Sequence, residues 1–471
     1  MKQISCDVAV IGAGSAGLAA HHAASVDGAS VMLIESGAPG TTCARVGCMP
    51  SKLLIAAADV AHQAATASVF GVETAPVRID GRVVMSRVRA ERDRFVRSVL
   101  QSCERIPQHG KLQGQARFVD AHTLQIDDHT RLHARAVVIA TGSRASVPDV
   151  FAAVAHRVLT NESLFERDTL PASVAVIGAG AVGLELGQAL HRLGVRTAIF
   201  DHDDRIGGLQ DETLNRAAHR IFGREVELHL GVELEVSAVD DGVRLQWSGG
   251  AAEFDYVLVA AGRPPRLDEL DLPRSGLPLD RHGVPEFDVR TLRCADRDVF
   301  IAGDAGAWRP LLHEAADAGA IAGANALRVA RGQPVQAQER RTPLAIVFSD
   351  PQIAVIGDTQ AHRHRLVGRA DFGDQGRARV MNRHNGCLQL YADAGSGRIT
   401  GAELIAPAAE HLSHLIAWAV QRQARVGDLL SLPFYHPTLE EALRTALRDL
   451  CVQLCIAPDV RAHSMEYGPA V

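Results

Sequence analysis

Two stretches of the chain share one rhythm. Val8–Ala20 reads VAVIGAGSAGLAA and Val174–Leu186 reads VAVIGAGAVGLEL. Each is an unbroken β-branched run, then glycines, then a second apolar run. An apolar run bounded by glycine predicts a strand buried on both faces, and the second run predicts a helix packed over it. The runs VMLIE and TAIFD predict the next strands and end on Glu35 and Asp201. DVFIAGDAG around Phe300 predicts a further strand. From about residue 340 the pattern changes: LAIVFSDPQIAVIG, CLQLYAD and ITGAELI predict antiparallel strands, with helices over 408–424 and 438–455. The fold class is therefore α/β, two Rossmann-like dinucleotide-binding units followed by an α+β unit. The expected boundaries are 1–147, 148–265, a central segment 266–339 completing the first unit, and 340–471.

The glycines within the two repeats follow GxGxxG: Gly12, Gly14 and Gly17, then Gly178, Gly180 and Gly183. In such a turn glycine permits the bend and lets the backbone approach a pyrophosphate, and the helix N-terminus offers unpaired N–H groups. Glu35 and Asp201 stand where a carboxylate accepts from ribose hydroxyls. One copy is weak evidence; two copies, each with its acidic partner, predict two bound dinucleotides. The competing reading is a pair of glycine-rich turns without ligand.

Composition narrows the partners. The 471 residues are 47% hydrophobic and 22% charged, with a formal net charge of −6 and scattered Lys and Arg. That balance argues against nucleic acid or an acidic membrane surface. A strand is expected almost from Met1, and no uninterrupted apolar run approaches the ~18 residues of a membrane span, so neither a leader nor a membrane anchor is expected and the expected compartment is the cytoplasm. Eight cysteines in a reducing compartment are not a disulfide framework.

Two of them stand close together in GTTCARVGCMPSK, Gly40–Lys52. The residues after Cys48 look helical. On an ideal helix Cys43 and Cys48 would be about 140° apart, with Cα atoms about 8.7 Å apart. A disulfide needs about 7 Å or less. The pair can bridge only across a distorted helix, which Gly47 and Pro50 permit, and a distorted bridge is easily reduced. A half zinc site or a pair of packed thiols are the alternatives; no second closely spaced Cys/His pair supports a metal, and none is expected. Cys6, Cys103, Cys294 and Cys387 read as packed thiols. Cys451 and Cys455, spaced i, i+4, are poorly placed for a bridge.

These motifs, with VVIATGS (Val137–Ser143), AAGRPP (Ala260–Pro265), FIAGD (Phe300–Asp304), FSDPQIAVIG (Phe348–Gly357) and HPTLEEAL (His436–Leu443), resemble the class I flavin-dependent pyridine nucleotide–disulfide oxidoreductases over essentially the whole chain. The PSK ending is most similar to dihydrolipoamide dehydrogenases. The resemblance implies that the first unit holds FAD near Gly12, Gly14, Gly17, Glu35, Thr42, Lys52, Ala116, Thr141, Gly142, Gly303, Asp304 and Leu312. It implies that the second holds NAD through Gly178, Gly180, Gly183, Asp201 and Gly262, and that residues 340–471 form the dimerisation domain of a homodimer. Cys48 would face the flavin and Cys43 would exchange with substrate. His436 would act as acid/base across the subunit boundary, oriented by Glu441, and Lys52 would pair with Glu185. The implied activity is oxidation of a protein-bound or free dihydrolipoyl dithiol with reduction of NAD. The alternatives are reduction of another small disulfide, or of a quinone or metal ion, on the same fold.

From spacing alone Glu441 also fits a capping box with Thr438, and Lys52 and Glu185 read as ordinary helix-surface charges. The stretch DHDDR after Phe200 is mostly acidic, which suits NAD over its 2′-phosphorylated form. Arg45, Thr41 and Tyr435 depart from the family pattern and leave the disulfide substrate open.

Overall fold

The computed structural model describes residues 1–38, 40–360 and 364–455; the end of the expected 340–471 unit, beyond residue 455, lies outside them. The first sheet runs Lys111–Gln113, Val31–Glu35, Lys2–Ile11, Thr130–Ile139, Thr123–Ile126, Ala116–Phe118. Its centre is parallel, and Val299–Ile301 joins it beside Thr130–Ile139. Val8, Ala9 and Val10 are wholly buried, as an unbroken apolar run in a covered parallel strand should be.

One face of this sheet is covered by two helices, Ser15–Ala24 and Leu312–Ala330. They touch backbone to backbone. A Cβ added at Gly319 would lie 2.1 Å from the Ala16 carbonyl oxygen, and one at Gly323 would lie 2.2 Å from that of Ala20. This contact fastens the segment after residue 300 to the first fingerprint helix.

The second sheet is parallel throughout, ordered Glu227–Leu230, Arg196–Asp201, Ser173–Ile177, Tyr256–Val259, Val158–Leu159. A three-stranded antiparallel meander, Glu235–Val239, Gly242–Trp247 and Gly250–Phe254, packs beside it. The last sheet is antiparallel: Leu344–Val347, Gln352–Gly357, Ile399–Ala406, Cys387–Asp393, Arg365–Asp371. Helices Ala409–Gln421 and Glu441–Gln453 lie on it. The second begins three residues later than its apolar pattern suggests. Thr438 does not cap it; its hydroxyl donates to the Tyr435 carbonyl.

The helical run Thr42–Phe70 is long and apolar enough, by length and composition, to cross a membrane. It is broken near its start, carries Lys52 and Asp59, and packs on helices Ala181–Arg192 and Gly81–Glu104.

The glycine contact yields a test. Gly323→Ala drives a methyl into the Ala20 carbonyl and should cost about 1–3 kcal/mol or more, read as a lower midpoint of thermal unfolding by circular dichroism. Gly427→Ala meets nothing within 4 Å and lies in a helix, so it should leave the midpoint unchanged or slightly raised.

Candidate active site

The two fingerprints are built alike. Gly12 (φ +106°) and Gly178 (φ +112°) end their strands in a conformation that side chains rarely adopt. Ala13 N–H donates to Glu35 Oε2 at 2.7 Å, and Ala179 N–H donates to Asp201 Oδ2 at 2.6 Å. The acidic residue at the end of the second strand thus folds back onto the turn, where a ribose would meet it. A Cβ at Gly14 or at Gly180 would meet no atom within 4 Å. Open space beside a helix N-terminus fits a dinucleotide pyrophosphate in both units. The buried Thr141 hydroxyl has no partner, and Gly142 and Gly262, both at positive φ, also face open space. These residues fit FAD and NAD.

The other expected FAD residues surround the same edge. Gln113 pairs with Glu35 across parallel strands, and Ala116 follows just beyond. Gly303 and Asp304 form the turn after Val299–Ile301. Asp304 accepts from the Ser143 hydroxyl at 2.7 Å. Thr42 and Leu312 each start a helix and are exposed.

Between the cysteines the chain does break. Helix Thr42–Arg45 ends at Val46, and helix Cys48–Thr66 begins after Gly47 at φ −117°, ψ −114°. Pro50 sits in the first turn, where its fixed φ fits the start of a helix. Thr41 caps the short helix by accepting from Ala44 N–H at 3.2 Å, which accounts for threonine there. Arg45 is tied to the Ala38 carbonyl at 3.2 Å.

Cys43 and Cys48 are unbridged thiols in this structure, close enough that each shifts the titration of the other. The hydrogen bond from Cys43, aided by the charge of Lys52, outweighs burial and brings the Cys48 thiol down to about 7. The same hydrogen bond, burial and the negative charge on Cys48 push Cys43 well up. The two directions favour a thiolate on Cys48 over one on Cys43. Burial pushes the Cys6 and Cys294 thiols up to about 12, as packed thiols should be.

Lys52, one turn after Cys48, is clamped rather than exposed. Its ammonium donates to Glu185 Oε1 at 2.9 Å and Oε2 at 2.7 Å and stands 4.7 Å above the Phe348 ring. Glu185 is 6% exposed and also accepts from Phe348 N–H at 2.8 Å. One turn on, Gln188 exchanges two 2.8 Å hydrogen bonds with the Asp350 backbone. Arg192 then pairs with Asp59, Glu225 and Asp350. The spacing 185, 188, 192 makes a single polar stripe on helix Ala181–Arg192, turned inward.

His436 lies elsewhere. Its Nδ1–H donates to Glu441 at 3.1 Å, which leaves Nε2 free on a half-exposed ring. Glu441 also accepts from Thr438 N–H at 3.2 Å, so it serves the helix start and the imidazole together. Among the described residues His436 hydrogen-bonds to Glu441 and to neither thiol; one protomer does not bring the imidazole to the sulfurs. Tyr435 beside it is 81% exposed. Sequence reasoning passed over Ser143, Asn161 and Arg263, which connect the break between the cysteines to Asp304; Asn161 sits in TNES, which signals only a helix start.

Comparison with known proteins agrees with this geometry. Residues 6–319 match the family described as pyridine nucleotide-disulphide oxidoreductase, and residues 344–447 match its dimerisation domain. A dihydrolipoyl dehydrogenase of Haloferax volcanii is 31% identical over 93% of this chain and 95% of its own. A mercuric reductase of Shigella flexneri is 32% identical over 93% of this chain and 80% of its own. The flavoprotein disulfide reductase RclA of Escherichia coli, solved as a Cu(II) complex, shares the fold with a TM-score of 0.80 at 20% identity, covering 95% of this chain and 99% of its own. The cofactors of this family are FAD and NAD, and its dimerisation domain makes a homodimer. The chain belongs to the pyridine nucleotide-disulphide oxidoreductases and is an enzyme of that flavin-dependent family.

Proposed function

We propose that this enzyme oxidises a dihydrolipoyl dithiol, free or carried on another protein, and reduces NAD. The observation that carries the reading is geometric: Cys43 and Cys48 stand either side of a helix break at Gly47, with Lys52 held by Glu185 one turn beyond Cys48. FAD, when bound, supplies the two-electron carrier between the thiols and the pyridine nucleotide.

The residues divide the work as follows. With Cys43 and Cys48 bridged, a substrate thiolate attacks the Cys43 sulfur, the bridge breaks, and Cys48 leaves as the thiolate that Lys52 stabilises. The second substrate thiol then displaces Cys43 from the mixed disulfide. The substrate loses two electrons and two protons and becomes a disulfide. The cysteine pair gains the electrons. His436 of a second copy of the chain takes a substrate proton at Nε2, with Glu441 holding Nδ1. Asp201 supports NAD because a carboxylate at the end of Arg196–Asp201 accepts from a ribose hydroxyl and repels a 2′-phosphate. The exposed Tyr435 next to His436 would shape the entrance for the disulfide, so another low-molecular-weight disulfide is the second reading.

A panel of NADH-dependent assays separates them. Lipoamide should be the best acceptor, ahead of glutathione disulfide, quinones and Hg(II). A preference for any of these over lipoamide by tenfold or more in kcat/KM rejects the substrate assignment. Cys43→Ser and Cys48→Ser should each bring lipoamide reduction to background. His436→Gln should lower dithiol-driven NAD reduction by roughly 10²–10⁴-fold while sparing NADH oxidation by ferricyanide; equal losses in both assays would remove His436 from the proton step.

The thiol pair also predicts a pH dependence. In the reduced enzyme the rate of Cys48 alkylation by iodoacetamide should rise through a midpoint near 7, since only the thiolate reacts. Lys52→Met removes the nearby cation, so the midpoint should move upward. A wild-type midpoint at the ordinary thiol value, about 8.5, would contradict the assignment of the thiolate.

A further inference from the structure

The break between the cysteines is held from outside. Gly47 O keeps its helical partner, accepting from Ser51 N–H at 3.3 Å and also from the Ser51 hydroxyl at 2.8 Å. Val46 O cannot do the same, because the residue four positions on is Pro50, which has no N–H. Its donor comes from another unit: Asn161 Nδ2 at 2.7 Å.

Asn161 is 8% exposed and opens the helix Asn161–Leu164, just after strand Val158–Leu159 of the second sheet. Its amide orientation is fixed by Arg263, whose Nη1 donates to Asn161 Oδ1 at 2.9 Å. The same guanidinium donates through Nε to the Ser143 hydroxyl at 3.2 Å and through Nη2 to the Ser143 carbonyl at 3.1 Å. The Ser143 hydroxyl in turn donates to Asp304. These hydrogen bonds form one continuous chain. It runs from the peptide between the two sulfurs, past the Gly262 turn of the nucleotide unit, to the Asp304 turn of the FAD unit.

We infer that Asn161 is a positioning residue that sets how readily Cys43 and Cys48 form their bridge. The inference rests on the redox pairing of these cysteines proposed above. A continuous helix keeps the two Cα atoms too far apart, and the interruption at Val46–Gly47 is what lets them approach. Without its donor the part-buried Val46 carbonyl is left unpaired at the break. The chain there is freed to adopt other conformations, most of which do not align the sulfurs, and the dithiol gains relative to the disulfide.

The test is an exchange equilibrium on holoenzyme. Wild type, Asn161→Ala and Asn161→Asp are equilibrated without oxygen in mixtures of reduced and oxidised dithiothreitol. In this exchange the protein S–S bond breaks to two thiols while dithiothreitol closes its ring and supplies both electrons and both protons. The bridged fraction is read by acid quench, alkylation and mass spectrometry. Asn161→Ala should shift the equilibrium three- to tenfold toward the dithiol; tenfold is about 30 mV for a two-electron couple. Asn161→Asp keeps an acceptor for Arg263 but has no donor for Val46, so it should shift the same way, and it carries the comparison if the alanine variant does not fold. Equilibrium constants within twofold of wild type in the folded variants overturn the inference, as does a shift in Asn161→Ala that Asn161→Asp lacks. A wild-type protein that never bridges Cys43 to Cys48 overturns the proposed function together with it; normal bridging with unmoved variants overturns the inference alone.

Discussion

One ion pair holds the three parts of this molecule in register. Lys52 rises from the helix that starts at Cys48, Glu185 from the second fingerprint helix, and Phe348 from the edge of the last sheet. The three meet at Lys52–Glu185 (2.7 Å) and Phe348 N–H to Glu185 (2.8 Å). A buried carboxylate is tolerated only when its oxygens are occupied, and removing one partner of such a pair costs about 3–5 kcal/mol. The same ammonium lies near enough to Cys48 to favour its thiolate. Domain docking and thiol chemistry therefore depend on one cation, which is why the sulfur pair cannot be displaced from the nucleotide units without exposing a stranded charge.

The pair does not act alone. Gln188 and Arg192 continue the inward stripe, fixing Asp350 and Asp59. Arg383 reinforces it, pairing with Asp350 at 2.6 Å. Charges nearby hold the Asp350 carboxyl below its ordinary range against the opposing effect of burial. Opposite signs alternate through this cluster, so neither sign accumulates in the interior. The outcome is a floor of paired charges under helix Cys48–Thr66, whose first turn carries Cys48.

Much of this was legible in the residues. The doubled fingerprint, with Glu35 and Asp201 at matching distances, predicted two parallel sheets, and the two turns are built alike. Gly47 and Pro50 permit a break between the cysteines, a bridge would need one, and the break is there. Glu441 was read two ways, as part of a helix cap and as a partner for His436; its carboxylate accepts from Thr438 N–H and His436 Nδ1 together, while Thr438 is no cap. Less was readable where partners lie far apart along the chain. Glu185 and Arg192 look like surface charges on a helix until strands from residue 344 onward cover them. Asn161 carries no signal at all, since TNES is satisfied locally as a helix start. The need for it comes from Pro50, which removes a donor more than a hundred positions away.

The proposed chemistry requires Cys43 and Cys48 to exchange electrons as a pair. The most direct measurement is to alkylate air-oxidised holoenzyme before and after one equivalent of NADH under argon, then map all eight cysteines by mass spectrometry. The account predicts that both sulfurs are protected before NADH and modified after it, with Cys6 and Cys294 protected throughout. Modification of Cys43 and Cys48 at the outset, or their continued protection after NADH, would contradict it.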